Sequence, residues 1–133
     1  NNLEWTKYIL EECNKLKVPV ILGASESAIT YMGGFNVVYS LVNSLIKDLD
    51  IKIDVVLHLD HGKSINACFR AIDAGFTSVM IDASKETFEK NIEITKEVIK
   101  YAHLKNVTVE AELGLMGEKH DDSVELGSLT NKD

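Results

Sequence analysis

Apolar residues follow two alternating patterns along the chain. Short apolar, β-branched runs begin near residues 18, 53, 77 and 107, and such runs predict strands. Before the first run and between the later ones, apolar residues recur at helical spacing over about 3–17, 38–49, 65–74 and 88–102, which predicts a helix in each of these segments. Repeated strand–helix units predict a parallel α/β sheet with right-handed crossovers.

The helical spacing also indicates which residues face the core. In the first helix the apolar face is marked by Trp5, Ile9, Cys13 and Leu16, and we expect Trp5 in the core rather than at a ligand. The apolar face of the last helix is marked by Phe88, Ile92, Thr95, Ile99 and Ala102. Cys13 and Cys68 both fall on predicted apolar stripes, which favours free core thiols in a reducing compartment over a disulfide.

The strand over residues 53–62 is apolar in its middle and polar at its end. It closes with His58, Asp60, His61 and Gly62. His58 and Asp60 share one face because side chains alternate along a strand, and Gly62 permits a sharp exit or a close approach. A histidine beside an aspartate suits a metal ligand next to a proton donor or acceptor. A pair of hydrogen-bonded polar core residues remains the alternative.

The last strand, over residues 107–113, carries carboxylates on one face. Glu110 and Glu112 point away from the apolar face formed by Val107, Val109, Ala111 and Leu113. Both faces of a parallel sheet are normally covered, so we expect these two carboxylates to need a cation. Lysine, arginine and a metal ion are all candidates.

Polar side chains end every predicted strand rather than only those beside one switch point. Ser25, Asp60, His61, Asp82 and Glu112 would therefore ring one mouth. This distribution favours a (β/α)8 TIM barrel over a doubly wound sheet, and no glycine-rich nucleotide-binding motif follows any strand. Since four strands cannot close, residues 1–133 would supply about half of a barrel.

Residues 114–123 are polar and contain glycine. This composition predicts a mobile loop that closes over the site. An exposed loop or a frayed end is the alternative.

Composition excludes several classes of partner. With 133 residues, 45% of them hydrophobic, and a net charge of −7, the chain lacks the basic surface that nucleic acid requires. No apolar run reaches the roughly 18 residues of a membrane span, and no signal peptide is evident. We expect a cytoplasmic protein in which an anionic substrate would meet a metal or local positive charge.

Several long motifs resemble the class II, metal-dependent fructose-bisphosphate aldolases. They occur in family order at 21–26, 31–34, 58–62, 74–84 and 109–114, and the central ones are His58-Leu59-Asp60-His61-Gly62 and Val109-Glu110-Ala111-Glu112-Leu113-Gly114. The similarity extends from residue 1 to about 122.

The resemblance implies a role for each candidate residue. His61 matches a ligand of the catalytic zinc, while Asp82 and Glu112 match ligands of a second or alternate divalent metal position. Asp60 matches the acid/base that exchanges a proton with the aldehyde oxygen, and Ser25 matches a substrate-binding residue. The implied chemistry is Lewis-acid catalysis, which needs no Schiff-base lysine.

The implied activity is cleavage of fructose 1,6-bisphosphate, a small phosphorylated sugar, to dihydroxyacetone phosphate and glyceraldehyde 3-phosphate in glycolysis and gluconeogenesis. The family also suggests a homodimer or homotetramer. A tagatose-bisphosphate aldolase and a non-catalytic half-barrel module are the alternatives.

Three features depart from the family pattern. Two further zinc histidines and the phosphate-binding loops of the family have no counterpart in residues 1–133, so we expect these residues alone to show no cleavage. In the loop, the family's glutamate is replaced by His120 or displaced to Glu118. A common His-His-Pro stretch is replaced by residues 85–87.

Overall fold

The computed structural model describes residues 2–114, 119–120 and 123–124. Four strands form the main sheet: β1 (Val20–Ser25), β2 (Val55–Gly62), β3 (Ser78–Ile81) and β4 (Thr108–Ala111). The helices are α1 (Leu3–Leu16), α2 (Glu26–Tyr31), α3 (Phe35–Asp48), α4 (Ile65–Ala74) and α5 (Phe88–His103). A separate antiparallel pair consists of β5 (Lys119–His120) and β6 (Ser123–Val124).

The main sheet is parallel and its strands follow chain order, β1-β2-β3-β4. Helical segments connect each strand to the next. The predicted α/β architecture, about half of a (β/α)8 barrel, is thereby confirmed. Each strand begins one or two residues later than predicted; Val18, for example, donates its N–H to the carbonyl of Cys13 and so ends α1 instead of starting β1.

One face of the sheet packs against the helices. Alternate strand residues join helix residues in a single apolar core, whose members include Leu57, Leu59, Val79, Ile81, Val38, Val42, Cys68, Ile72 and Val98. The intervening strand residues, among them His58, Ser78 and Glu110, lie on the opposite face, which we call the inner face. The candidate functional residues must therefore be sought on the inner face and at its rim.

The predicted core face of α1 is wrong. Trp5 is 64% exposed and Leu16 is 68% exposed, whereas Leu10, on another side of the helix, is fully buried. α1 packs at the β1 edge of the sheet, so only one of its sides meets the described part of the chain. In a closed barrel a neighbouring unit would pack over such an edge.

At the β4 edge of the sheet, the buried residues also differ from those predicted. In α5, Phe88 and Ile92 are exposed, while Asn91 and Val98 are buried instead. β4 is shorter than predicted, and its apolar face packs on the core only as far as Val109, since Ala111 and Leu113 are exposed. Apolar periodicity located these elements, but neighbours in space decided which side was buried.

Both cysteines are free, as predicted, but they differ in environment. Cys68 is fully buried, and burial, followed by the negative charge of Glu26, raises its pKa to about 12. Cys13 is half-buried, not part of the core. Only Cys13 should therefore behave as an accessible thiol.

We predict that iodoacetamide applied to the folded protein near pH 8.5, where an ordinary thiol is about half ionised, modifies Cys13 and spares Cys68. Mass spectrometry of the digested protein would measure both rates. Denaturant should abolish the difference, because it removes the burial. Equal rates in the folded protein would contradict the assigned burial of Cys68.

Candidate metal centre

An extra residue in β2 turns His61 towards the end of the sheet. Leu59 pairs with Val79 and Gly62 pairs with Ile81, so β2 advances three residues while β3 advances two. His61 occupies this bulge with a φ of 48°. Strict alternation would direct His61 to the same side as Leu59, into the core. The bulge re-aims its side chain, as bulges beside functional sites commonly do.

Gly62 lets β2 and β3 come together directly after the bulge. A Cβ at this position would lie 2.8 Å from the carbonyl oxygen of Met80 and 2.9 Å from Cδ2 of Leu59. No side chain fits so close to backbone. The carbonyl of Gly62 accepts the N–H of Asp82 at 2.9 Å, so the glycine also ties the end of β3 to His61.

His61, Asp82 and Glu112 bring their side chains together at this end of the sheet. Nδ1 of His61 lies 3.1 Å from Oδ2 of Asp82 and 3.3 Å from Oε2 of Glu112, and the ligand atoms of the three residues lie within 4.8 Å of one another. The two carboxylates are 21% and 12% exposed, and the imidazole is 47% exposed. The cluster is therefore sheltered by its acids and open on the histidine side.

Ser84 orients the carboxylate of Asp82. Its hydroxyl donates to Oδ1 at 2.6 Å and its backbone N–H donates to the same oxygen at 3.1 Å. Oδ2 is thus directed to His61. Sequence analysis did not single out Ser84, although an aspartate two residues before a serine is a common turn signal.

The proximity of acid and base shifts two pKa values in opposite directions. The hydrogen bond to Asp82 raises the pKa of His61; burial opposes this, and the charges of Asp60 and Glu112 add to it. For Asp82, burial acts to raise the pKa, but hydrogen bonds from Ser84 and His61 together hold it below its ordinary value. The raised pKa of His61 and the lowered pKa of Asp82 therefore both favour an ion pair between the two side chains.

Asp60 and Ser25 lie beside this cluster. Oδ1 of Asp60 is 3.9 Å from Nε2 of His61, and Ser25 is the Cα partner of Asp60 across β1 and β2. The Ser25 hydroxyl accepts the N–H of Ala28 at 3.3 Å, capping α2, and is hydrogen-bonded to Ser27 at 3.0 Å. The apolar pattern did not predict α2.

Glu110 in β4 and Glu112, just beyond the end of β4, have different partners. Glu112 joins His61, whereas Glu110 lies 3.8 Å from Nε2 of His58, whose Nδ1 is hydrogen-bonded to Ser78 at 2.8 Å. We expected a lysine, an arginine or a metal as the cation for both. The structure places a histidine beside each, and of the two groups only that of Glu112 gathers three ligand atoms, which keeps a metal ion as the candidate there.

The donor set of this group fits zinc. Zinc accepts histidine nitrogen and carboxylate oxygen at about 2.0–2.2 Å, and catalytic sites usually take three ligands from the protein. Tetrahedral donors at that radius are roughly 3.3–3.5 Å apart, close to the 3.1 and 3.3 Å separations around Nδ1 of His61. A bound cation would replace the proton of His61.

Comparison with protein families gives a match over the whole chain. The model of class II fructose-bisphosphate aldolase covers residues 1–133. Curated fructose-bisphosphate aldolases from Geobacillus stearothermophilus and Staphylococcus epidermidis strain RP62A are 55% and 56% identical over 129 residues, which are 97% of this chain and 45% of each relative. The chain therefore spans less than half the length of these relatives.

Solved structures of aldolases share the fold. The YdjI aldolase of Escherichia coli K12 superposes with a TM-score of 0.75 at 29% identity, over 91% of this chain and 45% of its own. A putative fructose-1,6-bisphosphate aldolase from Coccidioides immitis superposes with a TM-score of 0.76 at 28% identity, over 93% of this chain and 42% of its own.

Gly62→Ala should destabilise the protein because its methyl group would overlap a backbone oxygen that cannot move freely. Overpacking of this kind costs about 1–3 kcal/mol, and denaturant unfolding would measure it. Gly23→Ala in β1 is the matched control, since its Cβ would meet only Cβ of Asp60, at an ordinary 3.9 Å. Equal losses in the two variants would contradict the close approach at Gly62.

Proposed function

Because the chain belongs to the class II fructose-bisphosphate aldolase family, we propose that the protein carrying it is a metal-dependent lyase. Its substrate would be fructose 1,6-bisphosphate, cleaved to dihydroxyacetone phosphate and glyceraldehyde 3-phosphate. The observation that carries this proposal is the three-residue ligand cluster with Asp60 directly beside it. The names of the most similar relatives favour fructose bisphosphate over tagatose bisphosphate as the substrate.

His61 would hold the metal from the bulge of β2, with Asp82 and Glu112 supplying oxygen ligands at the same or a second divalent position. When bound, zinc would act as a Lewis acid that polarises the ketone of the sugar. Asp82 and Glu112 are the more buried members of the set. Their negative charge would attract the cation, and their shelter would exclude competing water.

Asp60 would move the proton that accompanies carbon–carbon bond cleavage. Asp60 lies near the end of β2, next to His61, and its carboxylate is half-exposed. A carboxylate in this position can take the proton of the hydroxyl group on the carbon that becomes the aldehyde. It returns that proton in the reverse reaction. The Asp60 side chain is 51% exposed, so it would be accessible to substrate.

Ser25 would contact the substrate from the neighbouring strand. The Ser25 hydroxyl oxygen already accepts the N–H of Ala28. When Ser27 donates the hydrogen bond between the two serines, the hydroxyl proton of Ser25 is free to be donated to a substrate oxygen. The side chains of Glu118 and His120, the alternatives for the family's loop glutamate, lie outside the described residues. Closure of the 114–123 loop therefore remains a prediction.

The remaining expectations concern the setting of the enzyme. We propose a cytoplasmic, glycolytic or gluconeogenic enzyme that assembles as a homodimer or homotetramer. Across residues 2–114, no helix is both long enough and apolar enough to cross a membrane. The net charge of −7 is consistent with a substrate whose phosphates are met by local groups and metal instead of by a broad basic surface.

Metal binding provides the first test. His61→Ala in the full-length protein that contains residues 1–133 should weaken Zn²⁺ or Co²⁺ binding by at least about 100-fold, because even outer partners of metal ligands contribute 10–100-fold. Competition with a chelator would measure the affinity. His103→Ala is the control, since His103 is exposed at the end of α5. Unchanged affinity in His61→Ala would remove His61 from the site.

Asp60→Ala should lower the rate of cleavage by about 10²- to 10⁴-fold, the usual contribution of a positioned acid or base, while metal content stays constant. A coupled assay for triose phosphate release from fructose 1,6-bisphosphate measures the rate, and tagatose 1,6-bisphosphate serves as the comparison substrate. Asp48→Ala, at the exposed end of α3, is the matched control. Wild-type turnover by Asp60→Ala would overturn the assigned role.

A further inference from the structure

Strands β3 and β4 stop pairing just before the two acidic ligands. Their last paired residues are Ile81 and Ala111, and the carboxylates of Asp82 and Glu112 follow one position later on each strand. Beyond that pair, another contact must hold the two segments at a constant spacing. Asn91 in α5 provides it: its side-chain Nδ2 donates to the carbonyl of Ala83 at 3.1 Å and to the carbonyl of Glu112 at 2.8 Å.

The Asn91 amide has a single orientation. The residue is only 7% exposed, and its Oδ1 accepts the hydroxyl of Thr95 at 3.2 Å. Rotating the amide by half a turn would place Oδ1 against two carbonyl oxygens, and no hydrogen bond could form because all three oxygens are acceptors. Both N–H groups of the amide are therefore used by the carbonyls of the two loops that follow β3 and β4. Among the described residues, no buried side-chain polar atom lacks a hydrogen-bond partner.

We propose that Asn91 is a positioning residue for the metal ligands. It fixes the carbonyl of Glu112 itself and that of Ala83, the residue after Asp82, so it sets the separation of the two carboxylates around His61. It contacts neither carboxylate, and its role is to pre-organise the distance between them. This inference rests on the proposed metal site, whose ligands it assumes.

A purely structural role predicts a different result from this positioning role. If Asn91 only stabilises the two loops, its loss lowers stability and leaves the affinity of the folded protein for metal unchanged. If it sets the ligand spacing, the folded variant binds metal more weakly and with altered geometry. Outer groups that orient metal ligands typically contribute 10- to 100-fold in affinity.

The experiment compares Asn91→Leu with Val98→Ala in the metal-free full-length protein. Asn91→Leu keeps a similar volume but removes both donors, whereas Val98→Ala removes buried volume from the same helix about two turns away from Asn91. Chelator competition with Co²⁺ gives the affinity, and the visible absorption of the bound Co²⁺ reports its coordination geometry. Thermal unfolding identifies a temperature at which every variant is folded.

We expect Asn91→Leu to bind Co²⁺ about 10- to 100-fold more weakly, with a changed absorption spectrum, and Val98→Ala to match the wild type. If Asn91→Leu does not fold, Asn91→Ala, which leaves room for water at the two carbonyls, gives the same comparison. Wild-type affinity in the Asn91 variant, or an equal loss in Val98→Ala, would overturn the positioning role alone. Absence of metal binding in the wild type would overturn both this role and the proposed metal site.

Discussion

The site depends on one irregularity in the backbone of β2. Without the extra residue at His61, strand alternation would send the imidazole into the apolar core, where its charge would be costly. The bulge directs it instead to Asp82 and Glu112, which sit at the ends of the next two strands. Gly62 makes this irregularity possible because β2 must return to β3 within one residue, at a distance that leaves no room for a side chain.

Carboxylates on the inner face determine the electrostatics of the same region. Each of the two acids of β4 has a histidine as its neighbour, His58 for Glu110 and His61 for Glu112. Histidine is suited to this position because it can carry a proton or bind a metal without a change of fold. A chain with a net charge of −7 thus gathers several acids at one rim with histidines among them.

Tertiary support for the rim comes from residues outside the ligand cluster. Ser84 holds one oxygen of Asp82, and Asn91 holds the backbone on both sides of the gap between β3 and β4. Such contacts restrict the candidate ligands whether or not a metal is bound. The entropy of ordering them is then lost on folding, not on binding.

Periodicity in the sequence determined the order and kind of the main elements. Four strands and the long helices between them follow from runs of apolar residues and from spacing, since these patterns depend on local geometry. The residues of the ligand cluster were also predictable: alternation and strand ends place Asp82 and Glu112 at the rim, and the motif around residues 58–62 marks His61.

Only the tertiary structure decided which faces are buried and how the site is held. Trp5 and Phe88 are as apolar as core residues, yet they are exposed because they lie on the outermost helices of the described sheet. Asn91 is polar, yet it is buried because two carbonyl groups distant in sequence meet its amide. Local patterns carry no information on such partners, since contacts between separate elements exist only once the chain has folded.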